Sequence, residues 1–293
     1  MEEPLILGIG EFLWDMLPSG KKAGGAPVNF AYHASQHGTR AWAVSAVGND
    51  ALGNELLETA MAHGINLAVS VLDDKPTGTV EVHLRDGQPE YVICEDVAWD
   101  YIPLSTETLE LARRASAVSF GTLAQRSSVS RATTRALLEA SPLSALKVYD
   151  INLRQNWFSR EIIVDSLKMA NVLKINDEEF ARVLPMLGID DEDTCVAARR
   201  LISDYDLKML VLTAGDKFSS VYTADDVSTI ATPRVDVVDA VGAGDAFAGT
   251  FVASILRGVS IREAHLEAVR TAAYVCTQPG AWTPPYSTLT PVE

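Results

Sequence analysis

Short apolar runs alternate with longer stretches in helical rhythm along most of the chain. Residues 5–9, Leu-Ile-Leu-Gly-Ile, read as a buried strand, and the runs at 41–47, 117–120, 146–149, 172–175 and 209–213 repeat that pattern. Helices are predicted over 28–37 and 50–63, each followed by a stopping glycine, Gly38 and Gly64. Further helical patterns fall near 127–140, 159–170, 177–187 and 192–203, the last opened by the acidic run 190–193. Two consecutive helices, 243–256 and 261–274, follow. This alternation predicts βαβ units, hence an α/β fold with a mostly parallel sheet covered on both faces.

One stretch breaks the rhythm. Residues 69–94 hold β-rich segments and no helix; 79–85 alternate polar and apolar as a half-buried strand does, Asp86-Gly87 offers a turn, and 90–94 resume in β chemistry. Residues 11–17 could pair with them. The expectation is a small β-sheet projecting from the main one, the alternative being two extra edge strands. No linker, repeat or low-complexity segment interrupts the chain.

Composition narrows the class. Of 293 residues, 39 are acidic and 24 basic, a formal charge of −15; 47% are hydrophobic and 22% charged. That is globular composition, with ample material for a core. No apolar run approaches the ~18 residues that span a bilayer, so no membrane helix is expected. The start, Met1-Glu2-Glu3-Pro4, lacks a basic leader region. Cys94, Cys195 and Cys276 form neither a CxxC nor a zinc spacing, and their odd number opposes a disulfide framework; a cytoplasmic setting is expected. The negative charge opposes nucleic-acid binding. Any anionic ligand must be attracted locally.

The strongest motif is Asp239-Ala240-Val241-Gly242-Ala243-Gly244-Asp245-Ala246-Phe247-Ala248-Gly249. Two glycines open a helix there, and the free amides of a helix N-terminus attract anions. Asp245 can cap that helix, or accept a proton from a hydroxyl attacking a bound phosphate. The segment is neither a Walker A loop, since no lysine follows Gly244, nor a GxGxxG fingerprint, since Phe247 takes the third glycine position. A second motif, Gly24-Gly25-Ala26-Pro27-Val28-Asn29, opens the first long helix. It reads as a plain loop-to-helix junction or as a ligand contact through Asn29.

Other polar residues are placed by the strands they follow. Gly8-Ile9-Gly10-Glu11 ends the first strand, and Asp15 follows among large apolar residues; it is a solvated edge charge or a binder of sugar hydroxyls. Asp150-Ile151-Asn152-Leu153-Arg154 falls at a strand's C-terminal end, where open α/β sheets bind ligands. Asn176-Asp177-Glu178-Glu179 is a helix cap with dipole-favoured acids, or an indirect organiser of Mg²⁺ and phosphate through Asn176 and Glu179. His33 and His37 share a helix face without a third metal ligand, and Trp282 and Tyr286 read as packing groups.

Together these motifs resemble the ribokinase-like (PfkB) family of carbohydrate kinases, from about residue 5 to 285. The segment 239–249 resembles the family's DTxGAGDxFxAG, with Ala240 and Val241 departing from it. The resemblance implies one doubly wound domain over 1–293 with a β-sheet lid of about 11–22 and 71–95, and ATP-dependent phosphorylation of a sugar hydroxyl. It implies Asp245 as catalytic base and the amides of Gly242, Ala243 and Gly244 as an anion hole. Asp15, Gly25 and Asn29 match sugar-binding positions, and Arg154 is a candidate contact to substrate or phosphate. Asn176 and Glu179 match an NxxE motif tied to Mg²⁺ through water, and Thr213 and Gly215 match a nucleotide contact. Asp239 resembles the start of a monovalent-cation (K⁺) loop completed around Gly280. The segments 98–100, 120–126, 150–154 and 10–15 are similar to bacterial fructokinases, which implies D-fructose as substrate. Ribose, 2-keto-3-deoxygluconate or a nucleoside, or a silent sugar-binding regulator, remain as alternatives. Apolar lid faces could pair two subunits.

Overall fold

The computed structural model describes residues 3–18, 20–85 and 88–286. In chain order the first half runs β1 (Leu5–Ile9), β2 (Leu13–Leu17), β3 (Gly20–Gly24), α1 (Ala26–Ser35), β4 (Arg40–Gly48), α2 (Ala51–Ala62), β5 (Asn66–Leu72), β6 (Gly78–Arg85), β7 (Gln88–Ile93), α3 (Thr106–Arg114), β8 (Ala117–Gly121) and α4 (Ser128–Ala140). The second half adds β9 (Leu146–Asp150), α5 (Arg160–Met169), β10 (Val172–Asn176), α6 (Asp177–Met186), α7 (Thr194–Asp204), β11 (Met209–Ala214), β12 (Phe218–Tyr222), β13 (Val227–Ala231), α8 (Ala243–Leu256) and α9 (Ile261–Cys276).

Nine strands form one sheet in the order β13-β12-β11-β10-β9-β8-β1-β4-β5. All neighbours pair parallel except β11–β12 and β12–β13. Parallel central strands are covered on both faces and so read as unbroken apolar runs. Every residue of β1 is buried. Its side chains split between two cores: Ile6 packs with residues of α1, α2, α8 and α9, whereas Leu7 and Ile9 pack with α3 to α7. Each fully buried aliphatic side chain contributes roughly 1.5–3 kcal/mol. The chain runs from β1 outward to β4 and β5, then returns on the other side to β8. The order therefore reverses at β1/β8, and a crevice opens beyond the carboxyl ends of those strands.

The projecting sheet has the order β3-β2-β6-β7, antiparallel except for the parallel pair β2–β6. Residues 13–16 pair with 78–81, so the early segment does join the later one. The boundaries shift from the expected 11–22 and 71–95. Asn66–Leu72 pairs along its whole length with β4 and belongs to the main sheet, which leaves 13–24 and 78–93 for the lid. The expected Asp86-Gly87 turn lies outside the described residues.

Three elements had no clear sequence pattern. The helix α3 is nine residues long, capped by Ser105, and buries Thr108 and Ala112 with Leu109 and Leu111 half-buried against the core. The strands β12 and β13 are a short hairpin at the sheet edge, where three of the five β13 residues are exposed. The acidic run before α7 ends in the N-cap Asp193, which accepts from the amides of Cys195 and Val196. Among the described residues no helix is long and apolar enough to cross a membrane.

Candidate active site

The amino end of α8 points into the crevice. Gly242 caps it with φ 81°, a left-handed conformation, and a Cβ there would stand 2.5 Å from the Ala281 Cβ. Only glycine meets both conditions. The Ala243 amide leans back on the Ala240 carbonyl at 3.3 Å, so it is partly engaged; the Gly242 and Gly244 amides have no backbone acceptor among the described residues. Beneath this nest lies Lys174 of β10. Its Nζ is 3.5 Å from where a Gly244 Cβ would be, and it donates to both Asp150 oxygens, at 3.0 and 2.8 Å. Burial alone would lower the Lys174 pKa, but Asp150, Asp245 and Glu179 outweigh it and raise the value, so the ammonium stays charged. Helix amides and this ammonium supply the local positive potential that a chain of charge −15 needs for an anion.

Asp245 follows the nest within the first turn of α8. Its Oδ2 accepts from Asn29 Nδ2 at 2.8 Å, and Asn29 Oδ1 accepts from Trp282 Nε1 at 2.8 Å. Burial, seconded by the Asp150 charge, lifts the Asp245 pKa from 3.8 to about 6, against the pull of Lys174, Asn29 and Arg154. The site residue from the first helix and the one from the eighth thus meet across 216 positions of sequence. Below Asn29, Tyr32 and His33 of α1 and Gln36 at its C-terminal cap bond to the carbonyls of Thr283, Ala281 and Thr283. They hold the 281–283 segment against the nest.

The lid side brings more carboxyls. Gly25 has φ 125°, and a Cβ there would sit 2.2 Å from the Glu11 carbonyl oxygen, so glycine lets α1 start directly against the β1–β2 link. A Cβ on Gly24 would lie 3.3 Å from Asp15 Oδ2. Burial raises the Asp15 pKa; Arg154 and Lys22 oppose the rise and Asp239 adds to it. Glu11 is buried, and its Oε2 finds no donor among the described residues. Burial pushes it up to about 7. Exposed Arg154 lowers Glu11, Asp15 and Asp245 alike, so its charge faces all three.

Asn176 and Glu179 form a reciprocal cap on α6: Asn176 Oδ1 takes the Glu179 amide at 2.8 Å, and Glu179 Oε2 takes the Asn176 amide at 3.0 Å. Glu179 Oε1 also accepts from the Leu153 amide at 2.7 Å, tying the loop after β9 to α6. Burial raises the Glu179 pKa. Each oxygen keeps a lone pair for water, which fits a water-mediated contact to a metal ion and not direct ligation. Thr213 pairs in register with Asn176 across β10–β11, and Gly215 turns just after it with φ 53°. These four residues share one end of the sheet. Asp239 is held differently from the cation-loop expectation. Its Oδ1 accepts from the Val241 amide at 3.0 Å, and its Oδ2 from the Gly280 amide at 3.1 Å and Lys22 Nζ at 2.6 Å. Three of the carboxylate's roughly four lone-pair positions are filled by the protein, one of them by an ammonium, which disfavours a monovalent metal ion beside it.

Lys174, Lys22 and the hydrogen-bonding role of Trp282 escaped the sequence reading. A lysine inside the apolar strand Val172–Asn176 was a legible signal. Lys22 and Trp282 carried none, because their partners lie more than 200 residues away.

Comparison with known proteins gives the family and the fold. The model of the pfkB family of carbohydrate kinases matches residues 19–288. Fructokinase-2 of Zea mays is 31% identical over 279 residues, covering 88% of this chain and 82% of its own. A protein of Pyrococcus horikoshii named as a sugar kinase is 27% identical over 301 residues, covering 96% and 93%. Its crystal structure superposes with a TM-score of 0.82, over 96% of this chain and 94% of its own. The fructokinase of Vibrio cholerae O395, solved with fructose, ADP and a calcium ion, has the same fold at TM-score 0.78 and 22% identity, over 96% and 95% of the two chains. With the matched segment covering most of the chain, the glycine nest included, the chain belongs to the pfkB family of carbohydrate kinases.

Proposed function

We propose that this carbohydrate kinase transfers the γ-phosphoryl group of ATP to a hydroxyl of D-fructose, yielding fructose 6-phosphate, with Asp245 as general base. The observation that carries the reading is the Asp245 carboxyl: one oxygen held by Asn29, a pKa near 6, and a place directly after the Gly242–Gly244 nest. At neutral pH it is ionised and basic enough to take a proton from an attacking hydroxyl. Phosphoryl transfer needs little covalent help and depends on positioning and charge. The nest amides and Lys174 would hold the transferring group. Asp15, Asn29 and the Gly24–Gly25 backbone would bind sugar hydroxyls, and the lid would exclude water. ATP would lie along the end of the sheet marked by Asn176, Thr213 and Gly215. Mg²⁺, when bound with the nucleotide, neutralises phosphate charge; Glu179 would reach it through water.

Fructose is favoured by the names of the relatives at about 30% identity, fructokinase-2 of Zea mays among them. The second reading is a sugar acid such as 2-keto-3-deoxygluconate, supported by Arg154, an exposed cation facing the lid carboxyls. An ADP-release assay over fructose, ribose, glucose and 2-keto-3-deoxygluconate separates them. Highest kcat/KM on fructose is expected. Highest kcat/KM on the sugar acid would move the assignment to the second reading and leave the kinase reading standing.

A further inference from the structure

The Asp239 carboxylate, where the family resemblance suggests a monovalent metal ion, is already engaged. A carboxylate offers about four lone-pair positions. Here three are filled, by the Val241 amide, the Gly280 amide and the Lys22 ammonium at 2.6 Å. A metal cation brought to the same carboxylate would meet the ammonium's repulsion.

Lys22 comes from the lid. It stands on β3 directly opposite Asp15 on β2, and its side chain crosses to the loop that runs from Asp239 into Gly242. The Asp239 side chain is 14% exposed and that of Lys22 37%, so the pair is shielded on the carboxylate side and open on the lysine side. Burial would raise the Asp239 pKa, but Lys22 and the two amides outweigh it and hold it below the ordinary value. Gly280, the second anchor, precedes Ala281, which packs on Gly242, and Trp282, which bonds Asn29. The carboxylate therefore joins the lid, the nest loop and the 280–283 segment.

We propose that Lys22 is the resident cation of the Asp239 loop, its ammonium taking from the lid the place that a monovalent metal ion would otherwise hold, so that the glycine nest is set without potassium. Lys22 is a positioning residue: it acts on the nest through Asp239. The inference rests on the kinase reading only for its activity arm.

The test compares the wild-type chain with Lys22→Met and Lys22→Arg in potassium chloride and in choline chloride of equal ionic strength, which removes screening as a variable. Thermal melts and sugar phosphorylation are both read. For the wild type, the melting temperature and kcat/KM should be the same in the two salts, to within about two-fold in rate, because an ion that does not bind cannot stabilise. Lys22→Met should lose roughly three- to five-fold in kcat/KM in choline, the upper part of the range expected of a partly exposed ion pair. Its melting temperature should rise in potassium, since the vacated carboxylate can now take the ion. Lys22→Arg should behave as the wild type in both salts. Potassium-dependent melting or activity of the wild type would overturn the proposal, as would a Lys22→Met protein whose melting ignores potassium. If no sugar is phosphorylated by any of the three, the kinase reading falls, and the melts still decide the question of Lys22.

Discussion

The indole Nε1 of Trp282 donates to the amide oxygen of Asn29 at 2.8 Å, although 253 positions separate them. An indole N–H can only donate, so Asn29 must turn its oxygen to Trp282 and its NH₂ to Asp245. Asp245 then receives a hydrogen bond on Oδ2 and keeps Oδ1 for another partner. A flipped amide would present an acceptor instead, which favours protonated Asp245. Trp282 thus biases the carboxyl toward its ionised form.

Trp282→Phe keeps most of the ring's contacts and removes that N–H. The acid limb of the kcat/KM profile should move up by roughly half to one pH unit, since the hydrogen bond favours the charged form. Rates near pH 8 should change little. A profile lowered evenly at all pH values would point to lost packing and count against an orienting role.

Asp245→Asn should lower kcat by roughly 10²–10⁴, the usual worth of a general base. The same change should stabilise the fold. The Asp245 pKa is raised from 3.8 to about 6 in the folded chain. Between those values the unfolded chain has released the proton and the folded one retains it, so stability falls as pH rises through that window and stays lower above it. Asparagine never ionises and avoids this loss, worth at most about 3 kcal/mol at pH 7. Melts at pH 5 and 7.5 should show the mutant's advantage growing with pH. A mutant less stable than the wild type at pH 7.5 would contradict the burial argument.

Asp15→Ala should raise the sugar KM by roughly ten- to a hundred-fold, because each charge-assisted hydrogen bond to a hydroxyl contributes about 1.5–3 kcal/mol. The ATP KM should stay close to wild type. Equal losses for both substrates would mean that Asp15 supports the lid and not the sugar.

Arg126 ties the segment that follows β7 to the body of the fold. Its Nε and Nη2 reach Asp100 at 2.7 and 2.8 Å, Nη2 also reaches the Cys94 carbonyl at 2.6 Å, and the guanidinium lies 4.0 and 4.9 Å from the Trp99 and Trp157 rings. The pair is almost fully buried. Arg126→Ala leaves Asp100 unpaired and should cost about 3–5 kcal/mol in urea unfolding. Arg126→Lys should recover only part, since an ammonium cannot span both oxygens or stack flat on an indole. Full recovery by lysine would show that charge alone suffices.

Much of this molecule was legible locally. The run 5–9, the stretch 243–256 and the glycine stops at Gly38 and Gly64 announce β1, α8 and the ends of α1 and α2, because burial on two faces and left-handed turns constrain residue type at each position. The Gly242–Asp245 run and the Asn176–Glu179 cap are equally local, since helix ends satisfy their amides with neighbours in sequence. Partner choice was not local. Lys22 meets Asp239 only because β3 of the projecting sheet comes up to the loop that leads into α8, and Trp282 meets Asn29 only because α1, α8 and the 280–283 segment lie together. The same residues elsewhere in a surface would be an ordinary lysine and a packing ring. Sequence determined which elements form and where an anion could dock; the order in which strands enter the sheet decided which charges and hydrogen bonds converge there, because side chains reach only a few ångströms and strand order sets what lies within that reach.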